Sequence, residues 1–230
     1  MTEGETTGEV AFHFDVMCPY AFRTSLWMRE VAAATGVQVD WRFFSLEEVN
    51  RAEGKKHPWE RPWSFGWSLL RIAAHLRRRD PALVDRWYLA AGSALHLHGR
   101  KAHEPDVARE LLAEIGADGD DLDRAIADPT THDDIRADHQ RVLDLGGWGV
   151  PTLVFDDAQG TDAFFGPVIT DIPTGDDAVA LWELVLGWRR FPHLFELQRP
   201  KTPAHLDHIT AEFRPYFEAR DWHTVQNPTP

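Results

Sequence analysis

Cysteine is almost absent from this sequence: among its 230 residues, only Cys18 carries a thiol. A single cysteine cannot form an intramolecular disulfide, so the fold must rest on its hydrophobic core, which 43% of the residues can supply. A lone cysteine also favours a reducing compartment. Cys18 is therefore either an inert buried side chain or a reactive group.

Positive charge and long apolar runs are lacking as well. The formal net charge of −13 argues against a nucleic-acid partner, because phosphate binding depends on clustered Lys and Arg. No run approaches the roughly 20 apolar residues that span a bilayer, so no membrane partner is expected. Residues 1–9 are acidic and Thr-rich and do not resemble a secretory signal. We expect a cytoplasmic protein.

The periodicity of the first part predicts a β-α-β unit. Residues 10–16 alternate as in a strand, apolar residues then recur at helical spacing as far as Gly36, and residues 37–44 alternate again. Residues 63–145 are helical in periodicity, with breaks that indicate about four helices.

The strand period returns after residue 147. Residues 152–155 and 163–165 predict a hairpin with a turn at 156–160, and a helix is expected at 175–190. This order predicts an α/β protein with a thioredoxin-like fold, β-α-β and β-β-α, and an all-helical insertion domain. The thioredoxin-like domain would comprise 8–56 and 147–190, the insertion 57–146, and a C-terminal extension 191–230.

Cys18 stands where the first strand passes into the first helix, and Pro19 suits the first helical position. The free amides and dipole of a helix N-terminus stabilise a thiolate and lower a cysteine pKa to about 3.5–7.5. The sequence therefore predicts a nucleophile at neutral pH. Asp15 lies just before it, either as a buried acid that affects Cys18 or as the polar end of the strand.

A second motif precedes a strand later in the chain. Val150, Pro151 and Thr152 follow Gly149, and the first residue of a strand is one of the few places where a sheet accepts proline. The residues alone leave the Val150-Pro151 bond either cis or trans.

Together these motifs resemble the DsbA-like thioredoxin-fold proteins. The later segments 164–168, 172–175 and 191–197 are similar to the actinobacterial mycothiol-dependent nitroreductases of that superfamily. The resemblance implies that Cys18 is the nucleophile, with Pro19 and Tyr20 in its motif. It also implies a cis-proline at Pro151 and thiol-binding roles for the residues that flank it, Val150 and Thr152.

The resemblance further implies a low-molecular-weight thiol as cofactor, mycothiol or glutathione, and an electrophilic or disulfide substrate. Dithiol relatives have a second cysteine where this chain has Ala21, so an internal thiol cannot resolve a mixed disulfide on Cys18. Monothiol oxidoreductase chemistry is the leading hypothesis.

Two alternatives stay open. One is an enzyme with a bound thiol cofactor, similar to kappa-class glutathione transferases and 2-hydroxychromene-2-carboxylate isomerases. The other is a non-catalytic thioredoxin-fold binding module. The sequence does not fix the oligomeric state, and a homodimer is among the arrangements it permits.

Three further groups of residues are candidates for a role at the site: tryptophans, histidines and the basic residues of the tail. A helix through Trp59, Trp63 and Trp67 would align them, and Trp63 and Trp67 are candidate pocket residues, unless these aromatics only pack the insertion on the sheet. The twelve His residues lack metal-site spacing, so no metal is expected. The tail after residue 188 would either fold its basic residues back near the site or pack its apolar residues on the core. The basic residues are Arg189, Arg190, Arg199 and Lys201. The apolar residues are Phe191, Leu194 and Phe195.

Overall fold

The structure is a computed structural model that describes residues 8–158 and 160–220. The acidic start of the chain, residue 159 of the predicted turn and the last ten residues of the tail lie outside the described residues. None of the helices in the described part of the chain is long and apolar enough to cross a bilayer.

A four-stranded sheet forms the centre of the fold. Its strands are β1 (Glu9–Phe14), β2 (Gln38–Phe43), β3 (Thr152–Asp157) and β4 (Gly160–Phe165), in the spatial order β2-β1-β3-β4. β1 runs parallel to β2 and antiparallel to β3, and β3 and β4 form the predicted hairpin. This mixed sheet and its many helices confirm the predicted α/β class.

The helices surround this sheet. They are α1 (Pro19–Thr35), α2 (Leu46–Val49), α3 (Phe65–Arg79), α4 (Ala82–His96), α5 (Pro105–Glu114), α6 (Asp121–Ala127), α7 (Thr131–Asp144), α8 (Gly175–Trp188), α9 (Pro203–Glu212) and α10 (Arg214–Ala219). One turn of 3-10 helix covers Pro58–Glu60. α1 begins at Pro19 and is ended by Gly36 in the left-handed conformation, φ 79°, as its sequence predicts.

The helical insertion contains one helix more than expected. Four breaks in the periodicity separate five helices, α3 to α7, so the expected number of about four is wrong. α3 packs on α4, α6 and α7. Its buried Arg71 donates hydrogen bonds to the carbonyls of Ala125, Ile126 and Asp128 and thereby satisfies the end of α6. The division of the chain into separate domains stays a prediction.

The expected helical stripe of tryptophans does not form. Trp59 lies in the 3-10 turn and α3 begins only at Phe65, so Trp63 precedes the helix. The prolines at 58 and 62 explain the difference, because proline interrupts an α-helix except in its first turn.

The C-terminal extension has two parts that behave differently. Residues 191–201 have no regular structure. Of the two arrangements that the sequence left open for the tail, packing of its aromatics on the core is wrong, since Phe195 is 83% exposed. Arg189 forms ion pairs with Asp157 and Asp162 on the β3–β4 hairpin. The chain then forms α9 and α10, two helices that the sequence analysis did not predict.

Candidate active site

Cys18 occupies the N-cap of α1. Its backbone is extended, with φ −90° and ψ 112°, and its Sγ accepts a hydrogen bond from the N–H of Ala21 at 3.4 Å. Pro19 is the first helical residue, where the missing N–H removes no intrahelical bond. The helix start therefore points a free amide at the sulfur. The side chain is nevertheless only 7% exposed.

The turn before β3 lies on the other side of the sulfur. Cys18 Sγ is 3.7 Å from the carbonyl oxygen of Val150, and the Val150-Pro151 peptide bond is cis. Thr152 donates its hydroxyl to the carbonyl of Gly149 at 2.7 Å, which holds the turn in shape. Two motifs separated by more than 130 residues thus meet at the thiol.

The remaining walls are mostly apolar. Cys18 belongs to a small buried cluster that is separate from the main core and has partly buried side chains at its edge. The buried members are Cys18, Ala21, Phe44, Val142 and Val150, and the partly buried ones are Tyr20, Leu46 and Val49. A ligand thiol that reached Cys18 would lose its contacts with water and lie against an apolar surface.

Asp15 is a fully buried acid. Its carboxylate oxygens accept hydrogen bonds from the amides of Met17 at 2.9 Å and Leu46 at 2.7 Å, which ties the loop before α1 to the start of α2. Burial raises its pKa to about 7, although both amides lower it. Of the two interpretations of Asp15, the structure supports the buried acid.

The pKa of Cys18 is raised, not lowered. Burial raises it to about 12, the amides of Ala21 and Tyr20 act in the opposite direction, and the charge of Asp15 raises it further. The predicted depression of this pKa is therefore wrong in this conformation. The helix start is in place, but the cost of placing an anion in an apolar cluster outweighs two amide dipoles.

The start of the helical insertion lies against the active-site loop. Glu47 accepts a hydrogen bond from the N–H of Trp67 at 2.9 Å and pairs with Arg61 at 3.3 Å. A Cβ atom at Gly66 would lie 3.0 Å from Met17 Cγ and 3.1 Å from Asp15 Oδ1. Glycine at position 66 therefore permits the close approach of α3 to the loop that carries Cys18.

The two candidate pocket tryptophans point to different neighbours. The indole N–H of Trp67 donates to His132 Nδ1 at 2.8 Å, and its side chain is fully buried. The indole N–H of Trp63 donates to the carbonyl of His103 at 3.1 Å, and its side chain is half-buried.

Sequence analysis missed two residues near the site, Phe213 and Tyr216. The ring of Phe213 meets that of Tyr20 edge-on at 4.8 Å, and the ring of Tyr216 lies 5.1 Å from His96. Ile209, Phe213 and Tyr216 recur at helical spacing, and this is the signal that could have found them.

Within residues 8–158 and 160–220, no group of three or more His, Cys, Asp or Glu side chains is placed to hold a metal ion. The chemistry that this arrangement offers is that of a thiol between an amide donor and a carbonyl acceptor.

Comparison with known proteins identifies the family. The model of the Rv2466c-like family, described as mycothiol-dependent nitroreductase Rv2466c, matches residues 17–199. The chain belongs to the Rv2466c-like family. It is also 54% identical over 216 residues to Rv2286c of Mycobacterium tuberculosis, an uncharacterized protein, covering 94% of this chain and 92% of that one.

Solved structures share the fold of this family member at low sequence identity. A 2-hydroxychromene-2-carboxylate isomerase aligns with a TM-score of 0.57 and 13% identity, over 79% of this chain and 95% of that one. The cytosolic disulfide reductase DsbM from Pseudomonas aeruginosa, solved with GSH, aligns with a TM-score of 0.54 and 15% identity, over 78% and 99%. An isomerase and a reductase share this fold, so the fold alone does not decide the activity. The family match therefore identifies the relatives of this chain, and the solved structures show the fold that it shares with them.

Proposed function

We propose that this protein is a monothiol oxidoreductase in which Cys18 exchanges disulfides with a low-molecular-weight thiol of the mycothiol type. The observation that carries the proposal is the position of Cys18 Sγ between the Ala21 amide and the Val150 carbonyl, inside the span of the family match. Pro19 and Tyr20 shape one side of the reacting sulfur, and Val150, Pro151 and Thr152 shape the other.

The exchange occurs in two balanced steps. The Cys18 thiolate attacks one sulfur of a disulfide, forms a mixed disulfide and releases the other half as a thiolate, which takes up a proton. A second thiol then attacks the substrate sulfur of the mixed disulfide, and the Cys18 thiolate leaves. Because residue 21 is alanine, this second thiol must come from outside the chain.

The charges around the site favour an uncharged thiol. Asp15 is buried in the loop before Cys18, Glu47 is half-buried beside that loop, and Arg61 is already paired with Glu47. Mycothiol is a sugar thiol without a carboxylate, whereas glutathione is a net anion, which the ionised fraction of Asp15 would repel. The half-buried Trp63 is the better candidate of the two tryptophans to line a substrate pocket, because Trp67 is fully buried.

A second function is favoured by the raised pKa of Cys18. A thiol that stays neutral could donate a hydrogen bond to the sulfur of a bound thiol cofactor, as a serine hydroxyl would in the kappa-transferase and isomerase relatives. In that mechanism Cys18 orients the cofactor and forms no disulfide. A binding module without catalysis, a cytoplasmic location and a homodimer all stay predictions.

The experiment that tests the proposal is intact mass spectrometry after mild oxidation with mycothiol, and separately with glutathione. We expect one mycothiol adduct on the wild type, removed by excess thiol, less adduct with glutathione, and none on Cys18→Ser. If neither thiol forms an adduct, the exchange mechanism is wrong. Retention of substantial thiol-dependent turnover by Cys18→Ser would instead support the orienting mechanism.

A further inference from the structure

The C-terminal extension leaves the protein surface and then returns to it beside the active site. Phe195 and Leu197 are strongly exposed, but α10 packs on α4, and Phe213 between α9 and α10 is 2% exposed. The return is therefore a specific docking of α10 and of Phe213, which precedes it. Residues 203–219 lie beyond the span matched by the family model, which ends at 199.

The first docking contact is made with α1, next to Cys18. The edge-on contact of Phe213 with Tyr20 joins the extension to the second residue of the helix that Cys18 caps. Arg23, one turn further along, donates to the carbonyl and to the carboxylate of Glu212, each at 3.0 Å, and its guanidinium lies 5.7 Å from the Phe213 ring centre. Phe213 thus contacts both the Tyr20 ring and the Arg23–Glu212 ion pair.

The second docking contact is made with the end of α4. Tyr216 packs on His96, whose Nε2 lies 2.8 Å from the carbonyl oxygen of Val16, two residues before Cys18. Gly99, with φ 62°, lies close to Pro215, where an added Cβ would be 3.4 Å from its carbonyl oxygen. The helix pair therefore contacts α1 directly and reaches the loop before Cys18 through His96.

We propose that α9 and α10 form one wall of the thiol-binding site, with Phe213 as a positioning residue that fixes Tyr20 and so limits the size of substrate that reaches Cys18. This deepens the proposed function, because it takes Cys18 as the reacting thiol. Tyr20 is partly exposed while Cys18 beside it is almost covered, so the Tyr20 ring lies at the entrance. Phe213 blocks the space behind that ring.

Without Phe213 the Tyr20 ring can move back into the vacated space. An edge-on aromatic contact is worth about 0.5–1.5 kcal/mol beyond buried area, which corresponds to roughly 2- to 10-fold in a conformational equilibrium. A bulky reagent should gain from the wider entrance, and a small one should gain little.

The test compares two thiol reagents on the full chain. Methyl methanethiosulfonate is small, and dithiodipyridine is a flat aromatic disulfide whose release of thiopyridone is followed by absorbance. In Phe213→Ala we expect the rate with dithiodipyridine to rise about 5-fold and that with the small reagent to change less than about 2-fold. Phe217→Ala is the matched control, since Phe217 lies one turn after Phe213, on α10, and is 45% exposed.

A double-mutant cycle separates positioning from general loosening. If Phe213 acts through Tyr20, Phe213→Ala adds no further change in a Tyr20→Ala background. Phe213→Leu keeps most of the buried volume and should give a smaller change of the same sign, so the test survives if the alanine variant does not fold. Equal acceleration of both reagents, an unchanged ratio of the two rates, or additive effects would overturn the proposal. These rates report access to Cys18 whether or not mycothiol forms an adduct.

Discussion

The two sides of the Cys18 sulfur act on it in opposite directions. On one side the start of α1 presents the Ala21 amide, which favours the thiolate. On the other lie an apolar cluster and the buried acid Asp15, which favour the neutral thiol. The same Cys-Pro start of a helix can thus give a depressed or a raised pKa, and burial decides between them.

This balance has a consequence for the reaction. A thiol with a raised pKa is ionised in only a small fraction of molecules at neutral pH, but its thiolate is correspondingly more nucleophilic. Substitutions on either side of the Cys18 sulfur should therefore change the fraction of ionised thiol or the rate at which the mixed disulfide on Cys18 is resolved.

The largest effect is expected when a second thiol is placed in the first turn of α1, at residue 21. Ala21→Cys places a sulfur three residues after Cys18, where it can attack a mixed disulfide intramolecularly. We expect the Cys18 adduct to decay about 100-fold faster or more, with formation of an internal disulfide that lowers the mass by two hydrogens. Intact mass against time measures both quantities.

Ala21→Ser is the matched control, because it adds an atom of similar position at this buried residue without a thiol. Its adduct should persist as in the wild type. Persistence of the adduct in Ala21→Cys as well would show that residue 21 does not determine how the adduct is resolved.

A moderate effect is expected when the buried acid Asp15 is replaced. Asp15→Asn removes the buried charge that raises the pKa of Cys18, so this pKa should fall. We expect alkylation by iodoacetamide at pH 7 to become about 3- to 10-fold faster, since one pKa unit is a tenfold change in thiolate fraction. The exposed Asp207→Asn is the control and should leave the rate unchanged. A slower rate in Asp15→Asn would mean that Asp15 helps to remove the thiol proton.

The smallest effect concerns stability against pH. Burial lowers the pKa of His13, His96 and His132 from 6.5 to about 4, so the folded state binds fewer protons than the unfolded state between these values. Their contribution to the unfolding free energy therefore increases as pH rises from 4 to 6.5 and is lost as pH falls. Asp15, whose pKa is raised from 3.8 to about 7, acts in the opposite sense over nearly the same range.

Asp15→Asn should consequently make the unfolding free energy rise more steeply between pH 4 and 6.5. Chemical denaturation at several pH values measures this slope. At pH 4 the variant should also lose about 1–3 kcal/mol, because the new side-chain amide can accept only one of the two hydrogen bonds from Met17 and Leu46, and this loss should shrink as pH rises. An unchanged slope would show that Asp15 does not titrate in this range.

The sequence predicted the parts of the site that depend on local order. Cys18 and Pro19 define a helix start, and Gly36 defines its end, because capping requires only neighbours in the chain. The mixed sheet followed from strand periodicity in the same way. The cis state of Val150-Pro151 did not follow from its residues, since sequence permits either isomer and only the resemblance indicated cis.

The rest of the site depends on contacts between distant segments. The raised pKa of Cys18 results from Phe44, Val142 and Val150, which three different segments bring to the sulfur. Phe213 and Tyr216 were missed because a Pro-rich tail was expected after residue 190, although their spacing with Ile209 was visible. Tertiary burial of this kind leaves little trace in local periodicity.

Arg189 forms its ion pairs beside β4, which is an outer strand of the described sheet. Arg189 lies over the Phe155 ring at 4.7 Å and pairs with Asp157 and Asp162. An additional strand could pair with β4 only by stripping water from these charged groups, and natural proteins protect sheet edges from aggregation in this manner. Edge-to-edge polymerisation through β4 is therefore disfavoured.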